Sequence, residues 1–160
     1  MPRPDYIAIL HALAAHNVDF VVVGGVGAVL QGAPIMTFDL DIVHSTEIGN
    51  IGRLTAALDS LDAIYRMQPE RKIRPQASHL ISPGHQLLLT QYGPLDVLGA
   101  IGNGHTYEEL IQKAIAIEIA DGVTVPVLEL STLITVKEET AGEKDQAVLP
   151  ILRQTLRERN

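Results

Sequence analysis

A chain of 160 residues, 46% hydrophobic and carrying a formal net charge of −7, has the apolar content for one domain with a proper core. It contains no cysteine, which excludes a disulfide framework, a thiolate metal site and a cysteine nucleophile, and its acidic balance disfavours non-specific binding to nucleic acid. No apolar run reaches the roughly 18 residues of a membrane helix, and Met1-Pro2-Arg3-Pro4-Asp5 leads into an amphipathic segment, not a signal peptide. The expectation is a cytoplasmic protein with one domain over residues 1–160 and no membrane contact.

In chain order, Pro4 to His16 has helical spacing of Ile7, Leu10, Leu13 and Ala14, with Asn17 as a stop. Asp19 to Val23 reads as a buried strand, broken by Gly24-Gly25. Val26 to Gln31 reads as a short helix, closed by Gly32 and Pro34. Thr37 to Val43 alternates, and the spacing predicts a strand with Phe38, Leu40 and Ile42 on one face and Asp39, Asp41 and Val43 on the other. A helix is expected from Ile48 to Leu61, entered through Ser45 or Thr46 and burying Ile51, Leu54, Leu58 and Leu61.

Arg66 to Arg74 is polar, basic and interrupted by Pro69, and reads as a loop. Ser78 to Ile81 is expected as a strand. Gln86 to Gln91 and Leu95 to Leu98 form a hairpin around Tyr92-Gly93-Pro94, and Gly99 to Gly104 is a flexible loop. Thr106 and Glu109 have the spacing of a capping box. Ala114 to Ile119 and Val123 to Leu128 flank Asp121-Gly122, a hairpin signal. A helix from Ser131 through Lys137 and a final helix from Lys144 to about Arg157, with Val148, Ile151, Leu152 and Leu156 inward, complete the chain. Helices mixed with hairpins point to an α+β fold rather than a doubly wound parallel sheet.

The chemistry concentrates in carboxylates. Asp39 and Asp41, two apart on one strand, share a face. Two such carboxylates repel unless one is protonated or a cation lies between them, and hard oxygens suit Mg²⁺ or Mn²⁺. Asp96 stands alone in the apolar run Leu95-Asp96-Val97-Leu98, where an unpaired carboxylate is costly. If its strand neighbours the first, the three carboxylates converge and suit a two-ion site. Taken residue by residue, the acidic strand also fits a solvated face, and Asp96 a surface or turn position. Gly24-Gly25, after a buried strand and before a helix, allows backbone N–H groups to approach a phosphate. Gly25-Val26-Gly27-Ala28-Val29-Leu30 also begins like a dinucleotide fingerprint, but Leu30 stands where Gly or Ala is needed.

Together, Gly24-Gly25, the short helix and Thr37-Phe38-Asp39-Leu40-Asp41 resemble the signature of the polymerase-β-like nucleotidyltransferase superfamily. The match is nearest its small prokaryotic branch of AbiEii-type and minimal nucleotidyltransferase toxins. Asp96 is similar to that family's third acidic position, and Leu133 to Lys137 followed by Lys144-Asp145 is similar to its C-terminal helix pair. The resemblance covers about residues 20 to 150. It implies a nucleotidyltransferase-like mixed β-sheet flanked by helices, with C-terminal helices. It implies that Asp39, Asp41 and Asp96 bind two Mg²⁺ or Mn²⁺ ions and act as catalytic residues. Gly24, Gly25 and Lys137 would contact the nucleotide. The reaction it implies moves a nucleoside monophosphate from an NTP to a hydroxyl of tRNA, protein or a small molecule. A toxin–antitoxin setting with a cognate antitoxin protein follows from the same likeness.

Two departures oppose turnover: Ile35 and the run Ala141-Gly142-Glu143 stand where relatives often carry an arginine. They motivate the alternative of a degenerate nucleotide- or protein-binding module. Arg66, Arg71, Lys72 and Arg74 are the cations available to compensate, unless their loop is simply solvated. His44 follows Asp41 closely but is assigned no role.

Overall fold

A computed structural model describes residues 3–159. Helix α1 (Tyr6–Ala15) starts where the Asp5 carboxylate accepts a hydrogen bond from Ala8 N at 3.0 Å, and it buries Ile9, Leu10 and Leu13. Asn17 then takes a left-handed conformation (φ 55°) that ends the helix. Strand β1 (Phe20–Val23) is buried along its whole length, as a central strand with apolar residues on both faces must be. Helix α2 (Gly24–Val29) follows without a connecting loop, so the two glycines open the helix rather than precede it. Strand β2 (Leu40–His44) and helix α3 (Ile48–Ser60) come next. Ile51, Leu54, Leu58 and Leu61 are all buried, as their spacing predicts.

Strand β3 (Ile64–Tyr65), the four-residue helix α4 (Ala77–Leu80), and strands β4 (His85–Thr90) and β5 (Gly93–Leu98) form the middle of the chain. A small hairpin, β6 (Ala100–Ile101) and β7 (His105–Thr106), leads to helix α5 (Tyr107–Leu110). Strands β8 (Ala114–Ala120) and β9 (Val123–Leu128) form the second long hairpin around Asp121-Gly122. Helices α6 (Leu130–Glu139) and α7 (Glu143–Arg159) close the described chain. None of the described helices is long and apolar enough to cross a membrane.

Seven strands form one mixed sheet in the order β3-β4-β5-β2-β1-β9-β8. The hairpins β4–β5 and β8–β9, together with the pairs β1–β2 and β3–β4, are antiparallel, while β2 with β5 and β1 with β9 are parallel. One core lies between the sheet and α1 and α3, and includes Phe20, Val22, Leu40, Ile42, Leu95 and Val97. The other lies under α6 and α7, and includes Val21, Val23, Val43, Leu98, Leu133 and Leu149. Successive residues of β1, β2 and β5 therefore feed opposite cores, as the two-residue period of a strand requires. Gln31 is buried and holds α2 in place: its amide donates to Leu128 O (2.8 Å) and Gly27 O (3.0 Å), and its Oε1 accepts from Leu130 N. This is the α+β mixed sheet with flanking and C-terminal helices that the sequence predicts.

Five local expectations are corrected. The acidic strand begins at Leu40, not Thr37, and Phe38 is 67% exposed rather than inward, because the chain bends at residues 38–39 before joining the sheet. Residues 78–81 lie in and just after helix α4 and do not form a strand. Gln76 and His79 make a reciprocal capping box that closes a single turn. The stretch 99–104 holds β6 and a turn rather than an unstructured loop. Thr106 is the N-cap of α5 but makes no side-chain cap bond, and the Glu109 side chain pairs with His105 rather than reaching back to the cap. On α7 Leu152 is buried and Val148 and Leu156 pack against the core as expected, but Ile151 is 37% exposed and Leu149 and Thr155 take the buried face instead.

Candidate active site

The site is a row of residues across the second face of the sheet. In the sheet register Val23 lies opposite Asp41, Asp41 opposite Asp96, and Asp96 opposite Leu87. Side chains aligned in this way point to one face. Asp41 alternates with Ile42, which is in the first core, so the carboxylate points into the second. Asp96 alternates with Leu95 and Val97 in the same way. Asp39 lies in the bend before β2 and folds back over the pair. The three side chains each bring an oxygen within 4.8 Å of the others.

The bend is held by a residue that sequence reasoning left out. The Thr37 hydroxyl donates to Asp39 O at 3.1 Å, and the Tyr6 hydroxyl donates to Thr37 O at 3.4 Å. A Cβ on Gly25 would come to 2.8 Å of Thr37 Oγ1, so the glycine lets the bend pack onto α2. Gly24, at φ +66°, lies beside Asp41 because its predecessor Val23 is the cross-strand partner of that residue. A Cβ there would collide with Asp41 Oδ2.

Burial dominates the electrostatics. It pushes the Asp41 carboxyl up to about 8, helped by the charges of Asp39 and Asp96 and opposed by Lys137. Asp39 is raised as well, first by burial and then by Asp96, against the pull of Arg66 and Lys144. The Tyr6 hydroxyl is raised by burial and by the nearby Asp39 and Asp41 charges. Among the described residues Arg66 is the cation paired with the cluster. Its Nη2 lies 3.0 Å from Asp96 Oδ1 and 3.9 Å from Asp39 Oδ2. The 3.0 Å approach has ion-pair distance but not hydrogen-bond geometry, so Asp96 Oδ1 is buried with no hydrogen-bond partner. Arg66 reaches the site because the β3–β4 pairing continues one residue past β3, with Arg66 N donating to Leu87 O at 3.0 Å. The sequence signal for it was a basic residue in a polar loop; its destination was not visible there.

Lys137 projects from α6 to Asp145 on α7, with Nζ 3.0 Å from Oδ1. It is a half-buried ion pair rather than a free solvated lysine. Lys137, Asp145, Gly24 and Asp41 lie between two cavities. One, of about 550 Å³, is walled largely by Val23, Leu98, Ile101, Leu133 and Val136. The other, of about 260 Å³, is bounded by Gly25, Ile35, Phe38, Asp39 and Lys144. His44 is buried beside Ser45, which accepts its Nδ1 bond, and burial lowers its pKa; it has no contact with the cluster in this hydrogen-bond network.

These residues fit a divalent cation. Three carboxylates converge, one Asp96 oxygen is buried without a hydrogen-bond partner, and Gly24, lacking a Cβ, lets the Asp41 carboxylate lie directly against its backbone. No family model and no curated protein matches the sequence. Solved structures do. A Thermotoga maritima protein assigned as a nucleotidyltransferase aligns with a TM-score of 0.58 at 18% identity, over 99% of this chain and 96% of that one. The lincosamide antibiotic adenylyltransferase LnuA, bound to lincomycin, aligns with a TM-score of 0.61 at 13% identity, over 94% and 95%. ANT(2'')-Ia in complex with adenylyl-2''-tobramycin aligns with a TM-score of 0.59 at 15% identity, over 94% and 87%. The seven-stranded sheet, its flanking helices and the C-terminal helix pair give this chain the fold of nucleotidyltransferases.

Proposed function

We propose that the protein is a metal-dependent nucleotidyltransferase that moves a nucleoside monophosphate from an NTP to the hydroxyl of a small molecule. The observation that carries this reading is the convergence of Asp39, Asp41 and Asp96 within 4.8 Å, beside the glycine pair that opens α2. Asp39, Asp41 and Asp96 would hold Mg²⁺ or Mn²⁺, as the two-ion site that the resemblance implies. Bound there, the ions supply positive charge for the triphosphate and the attacking oxygen.

The remaining steps belong to the chain. Gly24 and Gly25 carry no side chain between their backbone and a phosphate. Lys137 trades its Asp145 partner for phosphate charge, and Lys144 adds a second cation on the same side. The acceptor hydroxyl attacks the α-phosphorus, the bond to the bridging oxygen breaks, and pyrophosphate leaves. The hydroxyl proton passes to a carboxylate oxygen of the cluster, which lies at the site of attack. The apolar walls of the 550 Å³ cavity support a compact acceptor with an uncharged body. The antibiotic ligands of LnuA and ANT(2'')-Ia offer a precedent for a small-molecule acceptor on this fold.

The test is incubation with labelled NTPs, Mg²⁺ or Mn²⁺, and three acceptor classes: small hydroxyl compounds, tRNA and protein. Label is expected in a small molecule, with release of pyrophosphate. Asp39→Asn and Asp41→Asn should each lower the rate about a hundredfold or more. Transfer that survives both substitutions together would sink the mechanism. Label in tRNA or protein would move the reading to the toxin–antitoxin setting, with its antitoxin partner. Nucleotide binding without transfer to any acceptor would favour the degenerate binding module suggested by Ile35 and Glu143.

A further inference from the structure

We propose that Arg66 is a built-in counter-cation of the carboxylate cluster, which a divalent ion must displace to bind. This rests on the reading above that Asp39, Asp41 and Asp96 bind metal. Three carboxylates this close need positive charge or protons between them. The guanidinium supplies it, at 3.0 Å from Asp96 and 3.9 Å from Asp39.

The way it does so is unlike a structural salt bridge. A permanent Arg–carboxylate pair is usually a two-pronged fork, each oxygen taking an N–H. Here Arg66 spends its directed bonds on the backbone of β4. Its main-chain N–H donates to Leu87 O and its Nη1 donates to Leu88 O, both at 3.0 Å. The other edge brings charge to Asp96 and leaves Oδ1 without a hydrogen bond. The buried oxygen is neutralised but not satisfied, which is the condition under which a harder cation can take the place. The Arg66 side chain is 27% exposed against 12% for Asp96, so the arginine is the more solvent-accessible partner of the pair. Its anchor also sits on a different element from the three carboxylates. It can leave the cluster without disturbing the β2–β5 register that aligns Asp41 with Asp96.

The cost of this arrangement falls on metal affinity, and the experiment measures that directly. Mn²⁺ binding to the full chain, without nucleotide, is followed by the paramagnetic resonance signal of the free ion. Arg66→Gln removes the charge and keeps an N–H donor for Leu88 O. It is expected to bind Mn²⁺ about tenfold or more tightly than the unchanged protein, whereas Arg66→Lys stays close to it. Unchanged or weaker binding by a folded Arg66→Gln protein would overturn the proposal and leave Arg66 a structural pin. A second measurement needs no charge-removing variant. Mg²⁺ titration of the unchanged protein should move the Arg66 Nε–Hε resonance, assigned by its loss in Arg66→Lys. A resonance that stays fixed at saturating Mg²⁺ would also overturn it. If neither the unchanged protein nor Arg66→Gln binds Mn²⁺, the metal reading itself fails. Loss of binding in Asp39→Asn and Asp41→Asn separates that outcome from binding elsewhere.

Discussion

Asp41 stands opposite Val23 on one side and Asp96 on the other, on the face that Val43 shares. A hydrophobic residue would suit that position, and the carboxylate pays with its ionisation: burial raises its pKa from 3.8 to about 8. The linkage has a definite sign. An acid whose pKa is higher folded than unfolded holds its proton in the native state over the window between the two values. Stability is therefore greatest below about 4 as far as this group is concerned, and falls as pH rises towards 8. Without divalent ions, thermal melting should show a decline from pH 5 to 8.5, on the order of a few kcal/mol shared across the coupled cluster. Asp41→Asn should flatten it. A decline of equal size in Asp41→Asn would assign the effect to other groups. Gly24 belongs to the same conflict. Gly24→Ala puts a methyl against Asp41 Oδ2 at a backbone angle that disfavours any side chain. It should cost about 1–3 kcal/mol in melting and remove transfer activity; an alanine variant of normal activity would show that the close approach of Gly24 to Asp41 is not needed for transfer.

At the scale of elements, the β6–β7 hairpin is tied to α6 by one histidine. His105 Nε2 lies 2.8 Å from Glu139 Oε1, and its Nδ1 meets Glu109 of α5. Glu139 Oε1 also accepts from Asn103 N at 3.1 Å. A neutral imidazole has one N–H and cannot donate to both carboxylates, whereas the imidazolium can. The hydrogen bond to Glu139 raises the His105 pKa above 6.5, and bonds from Asn103 N and His105 lower that of Glu139. The histidine contribution is full below its unfolded pKa and is lost as pH rises through the raised value. The glutamate contribution is present above its ordinary pKa and is lost as pH falls through the lowered one. The hairpin should therefore be held best in mildly acidic to neutral solution. Amide exchange over residues 100–106, corrected for intrinsic rates, should accelerate as pH rises past neutrality, and His105→Gln should remove that dependence. Because Ala100, Ile101 and Gly102 line the larger cavity, the same variant should weaken acceptor binding more than nucleotide binding.

Both faces of the sheet bury a hydrophobic core, but only one of them carries the carboxylates and the cavities. Leu54 is fully buried in the core under α1 and α3, away from the carboxylates. Leu133 is buried on the inner face of α6 and lines both cavities. Each leucine-to-alanine change should lower stability by about 2–5 kcal/mol. Leu54→Ala should leave kcat/KM of the folded protein unchanged, while Leu133→Ala should reduce it. Equal kinetic losses in both would mean that the two faces are mechanically coupled.

How much of this was written in the chain depends on sequence separation. Helices α1 and α3, the buried β1 and both long hairpins are set by periodicity, caps and turns acting over a few residues, and they were legible for that reason. The carboxylates Asp39, Asp41 and Asp96 stood out by residue type, and their family likeness predicted a common site. Their meeting depends on the parallel pairing of β2 with β5, which joins residues 55 apart through no local signal (Asp41 to Asp96). Arg66 shows the limit most clearly. In the sequence it is one of several cations in a polar loop. Only the β3–β4–β5 pairing carries it across the sheet to Asp96, while Arg74 in the same loop pairs with Asp59 and Asp62 at the surface. Local rules determined which segments are helices and strands and which residues are chemically unusual. Strand order decided which of those residues share a dielectric environment close enough to shift one another's charge, because Coulomb interactions act through space and not along the chain.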